Sequence, residues 1–236
     1  MSKKTKLILS LVFAALFLAL ILLVKTVDVQ PVEVKGAEAE SAVAPVQEDI
    51  GLSGINTAAR DAVGVRLSFY KITKYLGYLS FLVAGCFAAL GLWQWISRKS
   101  LKKVDPTLWS LAIIYAMVLI LYFFFEKVVV NCRPVMLPGE TVPAASYPST
   151  HTMLACVVFG SAAIALGRYV RNETLCKALQ AALWALAGLT VALRFLSGVH
   201  WLTDILGGML ISASLLFLLA SAKKDRAAPR HRRARR

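Results

Sequence analysis

Six apolar runs dominate this chain, at roughly 7–24, 76–97, 107–126, 151–167, 179–197 and 205–222. An α-helix needs about 20 such residues to cross the hydrocarbon core of a bilayer. In lipid, every backbone N–H and C=O must be satisfied within its own segment, so each run is expected to be a helix. With 58% hydrophobic residues in 236, the chain is too apolar for a soluble domain of this size. The expected fold is all-α: a polytopic membrane protein with six transmembrane helices.

Lysine and arginine positions set the expected orientation. Lys3, Lys4 and Lys6, then Arg98, Lys99, Lys102 and Lys103, then Arg168, Arg171 and Lys177, and the tail after Ser221 place 18 basic residues on one side, against nine on the other. Both termini are therefore expected in the cytoplasm. Residues 1–25 read as an uncleaved signal-anchor span, because the apolar core is long and the small-x-small sites at Ala37-Glu38-Ala39 and Ala42-Val43-Ala44 lie well beyond it. Residues 26–75 read as extracytoplasmic, beginning with a polar linker over 26–49. Within 50–74, Leu52, Ile55, Ala59, Val63 and Leu67 recur near helical spacing. That stretch is either an amphipathic helix lying on the membrane or a plain loop. Residues 76–222 form the membrane core. The basic tail, 223–236, directly follows a span, so it reads as a cytoplasmic anchor on anionic lipid heads rather than a nucleic-acid-binding segment. The four cysteines show no metal-binding spacing, and only Cys132 is expected outside, so no structural disulfide is expected.

Against this apolar background, Arg133, His151, Arg194, His200 and Asp204 stand at or near the ends of runs, all on the expected extracytoplasmic side. An ionisable group inside a span costs on the order of 2.5–3.5 kcal/mol at mid-membrane, unless it is used or paired. Two arginines, two histidines and a carboxylate suit a phosphate ester. Arg133 offers a planar fork of donors, and Pro134 holds it extended. In Tyr147-Pro148-Ser149-Thr150-His151, Ser149 or Thr150 can cap the fourth span, whose N-terminus then directs N–H groups at an anion. His151 would stand beside that anion, able to protonate a leaving oxygen. His200 and Asp204 are four residues apart, which puts both on one face if that turn is helical. The carboxylate would then fix the imidazole tautomer.

Arg133-Pro134, then Pro148-Ser149-Thr150-His151, then Arg194 with His200 and Asp204 beyond it resemble the three-part signature of the type 2 phosphatidic acid phosphatase family. Its usual form is Lys-x6-Arg-Pro, Pro-Ser-Gly-His and Ser-Arg-x5-His-x3-Asp. This chain departs at Thr150, in place of glycine, and at Leu193, in place of serine. It also departs at the lysine, since Glu126 stands in the expected position and Lys127 follows it. A one-residue slip turns the side chain by roughly 100° on a helix. Lys127 then meets substrate only by reaching round, or if the third span ends early.

The resemblance implies a cofactor-free, metal-independent membrane phosphatase acting at the outer face. His200 would attack phosphorus to form a phosphohistidine, with Asp204 orienting it. His151 would serve the leaving group. Arg133, Arg194, Ser149, Thr150 and Lys127 would bind the phosphate. The expected substrate is a lipid phosphate held among membrane lipids, with a prenyl diphosphate such as undecaprenyl diphosphate favoured over phosphatidylglycerol phosphate or phosphatidate. A bacterial chain is expected, and no nucleic-acid partner. A lipid phosphotransferase on the same scaffold and a non-catalytic lipid-phosphate carrier remain as alternatives. The oligomeric state is left open.

Overall fold

The computed structural model describes residues 1–37 and 44–222. The basic tail and residues 38–43 of the linker lie outside the described residues. The helices are α1 (Lys3–Thr26), α2 (Ser53–Val63), α3 (Leu67–Arg98), α4 (Pro106–Lys127), α5 (Thr150–Tyr169), α6 (Glu173–Leu196) and α7 (Leu202–Ala222). All but α2 are long and apolar enough to cross a membrane. The six runs of the sequence thus appear as six helices in an all-α polytopic membrane protein. Their ends are set by local chemistry. The Asp105 carboxylate accepts the Thr107 N–H ahead of Pro106 to start α4, and the Asn172 side chain accepts the Leu175 N–H to start α6.

Burial sorts the helices. In the most apolar window of α5 and α7, 61% and 56% of residues are buried, against 11% in α3. α5 and α7 therefore form the axis of the bundle. The others turn faces such as Leu18, Phe81, Leu82, Trp93, Ile120 and Phe123 outward, where lipid is the natural solvent. α1 packs along α7 through a reciprocal serine pair. Ser10 Oγ donates to the Ser214 carbonyl at 2.9 Å, and Ser214 Oγ donates to the Ser10 carbonyl at 2.9 Å. Small polar residues of this kind let helices approach closely where burial of apolar surface gives no drive. Nearer the other end of α1, Phe17 stacks on Tyr147 and meets Phe125 edge-on.

The polar linker contains a feature the sequence reading did not anticipate. β1 (Gln30–Gly36) pairs antiparallel with β2 (Val46–Ile50) and parallel with β3 (Val135–Met136). The signal is present in Gln-Pro-Val-Glu-Val-Lys, where apolar and polar residues alternate at the period of a strand. Val34 is fully buried, so this small sheet lies against the rest of the protein.

The choice left open over residues 50–74 resolves as two helices. α2 ends at Gly64, and α3 starts at Leu67, well before the expected 76. Leu67 therefore belongs to a different helix from Ile55 and Ala59. α2 is fastened to the start of α7 by a fully buried amide. Asn56 Nδ2 donates to Thr203 Oγ1 at 3.1 Å, and Asn56 Oδ1 accepts the Thr203 N–H at 3.2 Å.

The turn between α2 and α3 seats on the turn between α6 and α7. Arg66 N–H donates to the Ser197 carbonyl at 2.9 Å. Gly198 has φ +67°, and a Cβ there would come within 2.0 Å of the Gly64 carbonyl oxygen. Gly198→Ala must therefore both strain the left-handed backbone, at about 1–3 kcal/mol, and separate the two turns. We expect a clear fall in the unfolding temperature of the detergent-solubilised protein, while the same exchange at Gly85, where a Cβ meets nothing within 4 Å, leaves it near the wild-type value.

Candidate active site

The end of the bundle that carries these turns also carries the polar cluster. It is built on the segment 128–149 between α4 and α5, on the segment 197–201 between α6 and α7, and on the first turns of α5 and α7. Trp201 ties the two segments, donating its indole N–H to the Cys132 carbonyl at 2.6 Å. The Ser149 N–H donates to the Asp204 carbonyl at 3.0 Å, which fixes the start of α5 against the start of α7.

At the centre lies His200, 4% exposed, between Asp204 and Arg194, neither of which has any exposure. Arg194 Nη2 stands 3.1 Å from His200 Nε2. A guanidinium can only donate, so Nε2 carries a lone pair and the ring proton resides on Nδ1. That proton faces Ser146 Oγ at 3.2 Å and Asp204 Oδ2 at 3.4 Å. The Ser146 hydroxyl in turn donates to Asp204 Oδ2. The arrangement is therefore an imidazole whose Nδ1–H is held by a serine and a carboxylate, and whose Nε2 lone pair is kept by an arginine.

The helical-face argument for His200 and Asp204 needs correcting. His200 precedes α7 rather than lying in it. The pair meets because Asp204, in the first turn, folds back to accept the Trp201 N–H at 2.9 Å. This is the return half of a capping box, and it leaves the carboxylate next to the residue before the cap. Capping at α5 differs as well. Ser149 occupies the cap position but makes no side-chain cap, and its hydroxyl instead accepts from Thr152 Oγ1 at 3.0 Å. The first bond into that helix runs from Met153 N–H to the Ser149 carbonyl. The N–H groups of Thr150, His151 and Thr152 thus form the unpaired first turn of α5.

Both arginines keep an unused donor. Arg133 Nη1 pairs with Glu140 Oε1 at 3.1 Å, while Glu140 Oε2 accepts the Leu137 N–H at 2.8 Å. Arg194 Nη1 donates to Thr73 Oγ1 at 2.9 Å, and its guanidinium lies 4.8 Å from the centroid of the Tyr70 ring. The Nε of each arginine is buried without a partner. Buried donors are nearly always satisfied, so two orphaned guanidinium donors mark a place fitted to an anion. His151 is partly exposed, and its charge acts on His200, as do those of Arg133 and Arg194. Lys127 and Glu126 are both exposed at the end of α4, and among the described residues no hydrogen bond or ion pair joins Lys127 to the cluster. Ser146, Thr73, Tyr70 and Glu140 were missed by the sequence reading. Nothing in their spacing relates them to the motif residues. Among the described residues, no group of three or more His, Cys, Asp or Glu is placed to hold a metal ion.

Comparison with known proteins adds three findings. The sequence profile described as the PAP2 superfamily matches residues 107–228, which span α4 to α7. A search of curated proteins gave no match. Among solved structures, the fold is similar to that of a transmembrane PAP2-type phosphatidylglycerolphosphate phosphatase from Bacillus subtilis, at 19% identity and a TM-score of 0.61, covering 92% of this chain and 98% of that one.

Burial, then the charges of Arg194 and Arg133, hold the His200 imidazole well below its ordinary value of 6.5. The native state thus leaves His200 neutral over a range where the unfolded chain binds a proton. In that window stability rises with pH, so the His200 contribution is complete above about 6.5 and is lost as pH falls below it, at up to about 1.4 kcal/mol per pH unit. Unfolding temperatures measured from about pH 8 down to about pH 5 should fall less steeply for His200→Asn than for the wild type.

Proposed function

The chain belongs to the PAP2 superfamily, and from that membership we propose that it is a membrane lipid phosphatase working through a phosphohistidine, without a metal, at the extracytoplasmic face. The observation that carries this reading is the Nε2 lone pair of His200 held by Arg194, with a buried, unpartnered Nε donor on both Arg194 and Arg133. A phosphate entering there takes over Arg194, which uncovers Nε2. Arg133, Arg194 and the unpaired N–H groups at Thr150 and His151 bind its equatorial oxygens, where transition-state charge is spread, while Ser149 holds the turn.

In the first step, Nε2 forms a bond to phosphorus as the bond to the leaving oxygen breaks, and that oxygen takes a proton from His151. Asp204 and Ser146 stabilise the positive ring from the Nδ1 side. In the second step, water attacks the phosphorus, His151 takes its proton, the N–P bond breaks and inorganic phosphate leaves. Among the described residues no hydrogen bond or ion pair brings Lys127 to the site, so it joins only by extending toward bound substrate. A lipid phosphate suits the location, because a tail can remain among the lipid-facing helices while the head enters the site. A prenyl diphosphate is the favoured substrate, as the guanidinium donors of Arg133 and Arg194 suit a head of two linked phosphates. The basic residue bias supports placing both termini in the cytoplasm and the site opposite them.

Purified protein should release phosphate from prenyl diphosphate, phosphatidylglycerol phosphate or phosphatidate in detergent micelles, with EDTA leaving the rate unchanged. His200→Ala should abolish release, and His151→Ala should lower kcat by roughly 10²–10⁴-fold. Full activity in His200→Ala would sink the mechanism. Added short alcohols that divert phosphate into new esters would make the enzyme a phosphotransferase instead. A second expectation concerns Ser146: Ser146→Ala should lower kcat more than KM, since the hydroxyl touches the imidazole and the carboxylate rather than the substrate.

A further inference from the structure

α3 gives the site a wall that lies outside the motifs and before the matched segment of the family. Tyr70, Thr73, Lys74 and Gly77 follow one another at steps of three and four, so they share one face of the helix. Three of the four touch the cluster. Tyr70 lies under the Arg194 guanidinium and Thr73 accepts from it. A Cβ at Gly77 would sit 3.3 Å from His151 Cδ2 and 3.7 Å from Nε2, so the helix backbone passes directly beside that imidazole.

Lys74 stands between these contacts. Its Nζ is 5.8 Å from the centroid of the Tyr70 ring that Arg194 also faces, and its charge acts on His151 together with those of Arg194 and Arg133. The side chain is exposed, and among the described residues no carboxylate pairs with it. Its position relative to the cluster also differs from that of the arginines. Arg194 contacts His200 directly, whereas Lys74 lies one helical turn before Gly77, the position on α3 that passes beside His151.

We propose that Lys74 is a substrate-binding residue on the leaving-group side, holding the anionic phosphate that departs when a lipid diphosphate is cleaved. This rests on the reading of His200 as nucleophile and His151 as acid to the leaving oxygen. In an in-line displacement the leaving group departs away from His200, toward His151. A diphosphate sheds a phosphate monoester that leaves with charge, and a cation beside His151 stabilises it. A monophosphate sheds an alcohol that is neutral once protonated and gives Lys74 nothing to hold. Lys74 would thus supply from α3 the charge that Lys127, out of phase at the end of α4, does not bring to the cluster.

The test uses two substrates with the same tail, farnesyl diphosphate and farnesyl monophosphate, on the full-length protein in micelles. Lys74→Met should lower kcat/KM for the diphosphate by roughly 10–100-fold, in line with loss of a charge-assisted hydrogen bond, and that for the monophosphate by less than about threefold. Lys74→Arg should recover most of the diphosphate rate, and the unfolding temperature of Lys74→Met should match the wild type. An equal loss on both substrates, or no loss on either, would overturn the assignment, and so would a wild type that cleaves only the monophosphate. If the wild type releases phosphate from neither substrate nor from phosphatidylglycerol phosphate or phosphatidate, the phosphatase reading itself fails and Lys74 falls with it. Activity that survives His200→Ala separates a wrong mechanism from a wrong role for Lys74.

Discussion

Arg194 has no exposed surface, yet it sits near the end of a helix inside an apolar bundle. A buried guanidinium must be given acceptors, or it destabilises the structure by several kcal/mol. Its surroundings answer that demand from several directions: a threonine hydroxyl and an aromatic face on α3, and the lone pair of His200 from the following turn. Each of these partners is then fixed by its own tether. The turn before α3 is bonded to Ser197, α2 is fastened to Thr203, and Asp204 closes the start of α7 on Trp201. The contacts of this one buried charge draw α3, the end of α6 and the turn before α7 together at this end of the bundle.

The same constraint prepares the chemistry. Because an arginine occupies Nε2, the imidazole is neutral and its proton lies toward Asp204 and Ser146. The ring is thus in the tautomer a nucleophile requires before any substrate arrives. Phosphate is a better partner for the guanidinium than an imidazole lone pair, since it is charged and offers several acceptors. Binding and activation are therefore one event in the proposed reaction: the anion that draws Arg194 away is the anion that His200 attacks. Arg133 shows a related arrangement. Its pairing with Glu140, which also holds the Leu137 N–H, keeps the guanidinium aligned along the 128–149 segment.

Much of the membrane architecture was legible in the sequence, because lipid imposes a simple rule on backbone hydrogen bonds. The six apolar runs match the six long helices to within a few residues, except at α6, which starts six residues before its run, and at α3. There Lys71 and Lys74 interrupt the apolar pattern, so the run seemed to begin later than the helix does. The sheet of β1, β2 and β3 escaped notice because its strands are short and its third strand is remote in sequence. Arg194, His200 and Asp204 come together in the structure, but the spacing of His200 and Asp204 does not by itself explain how the last two meet. The two residues meet through the fold-back of Asp204 at the helix start, not through a shared helical face. Ser146, Tyr70 and Thr73 could not have been grouped with them, since common residue types at remote positions carry no pattern.

The sequence by itself determined the solvent, the secondary structure of the spans and the presence of a polar cluster at their ends. These follow from composition and spacing along one segment at a time, where lipid leaves a backbone little choice. The tertiary structure decided which nitrogen of His200 bears the proton, which donors of the arginines remain unused and which face of α3 closes the site. Those properties depend on contacts between residues far apart in the chain, such as Thr73 with Arg194 and Ser146 with Asp204. A hydrogen bond acts over about 3 Å in space and is indifferent to distance along the sequence.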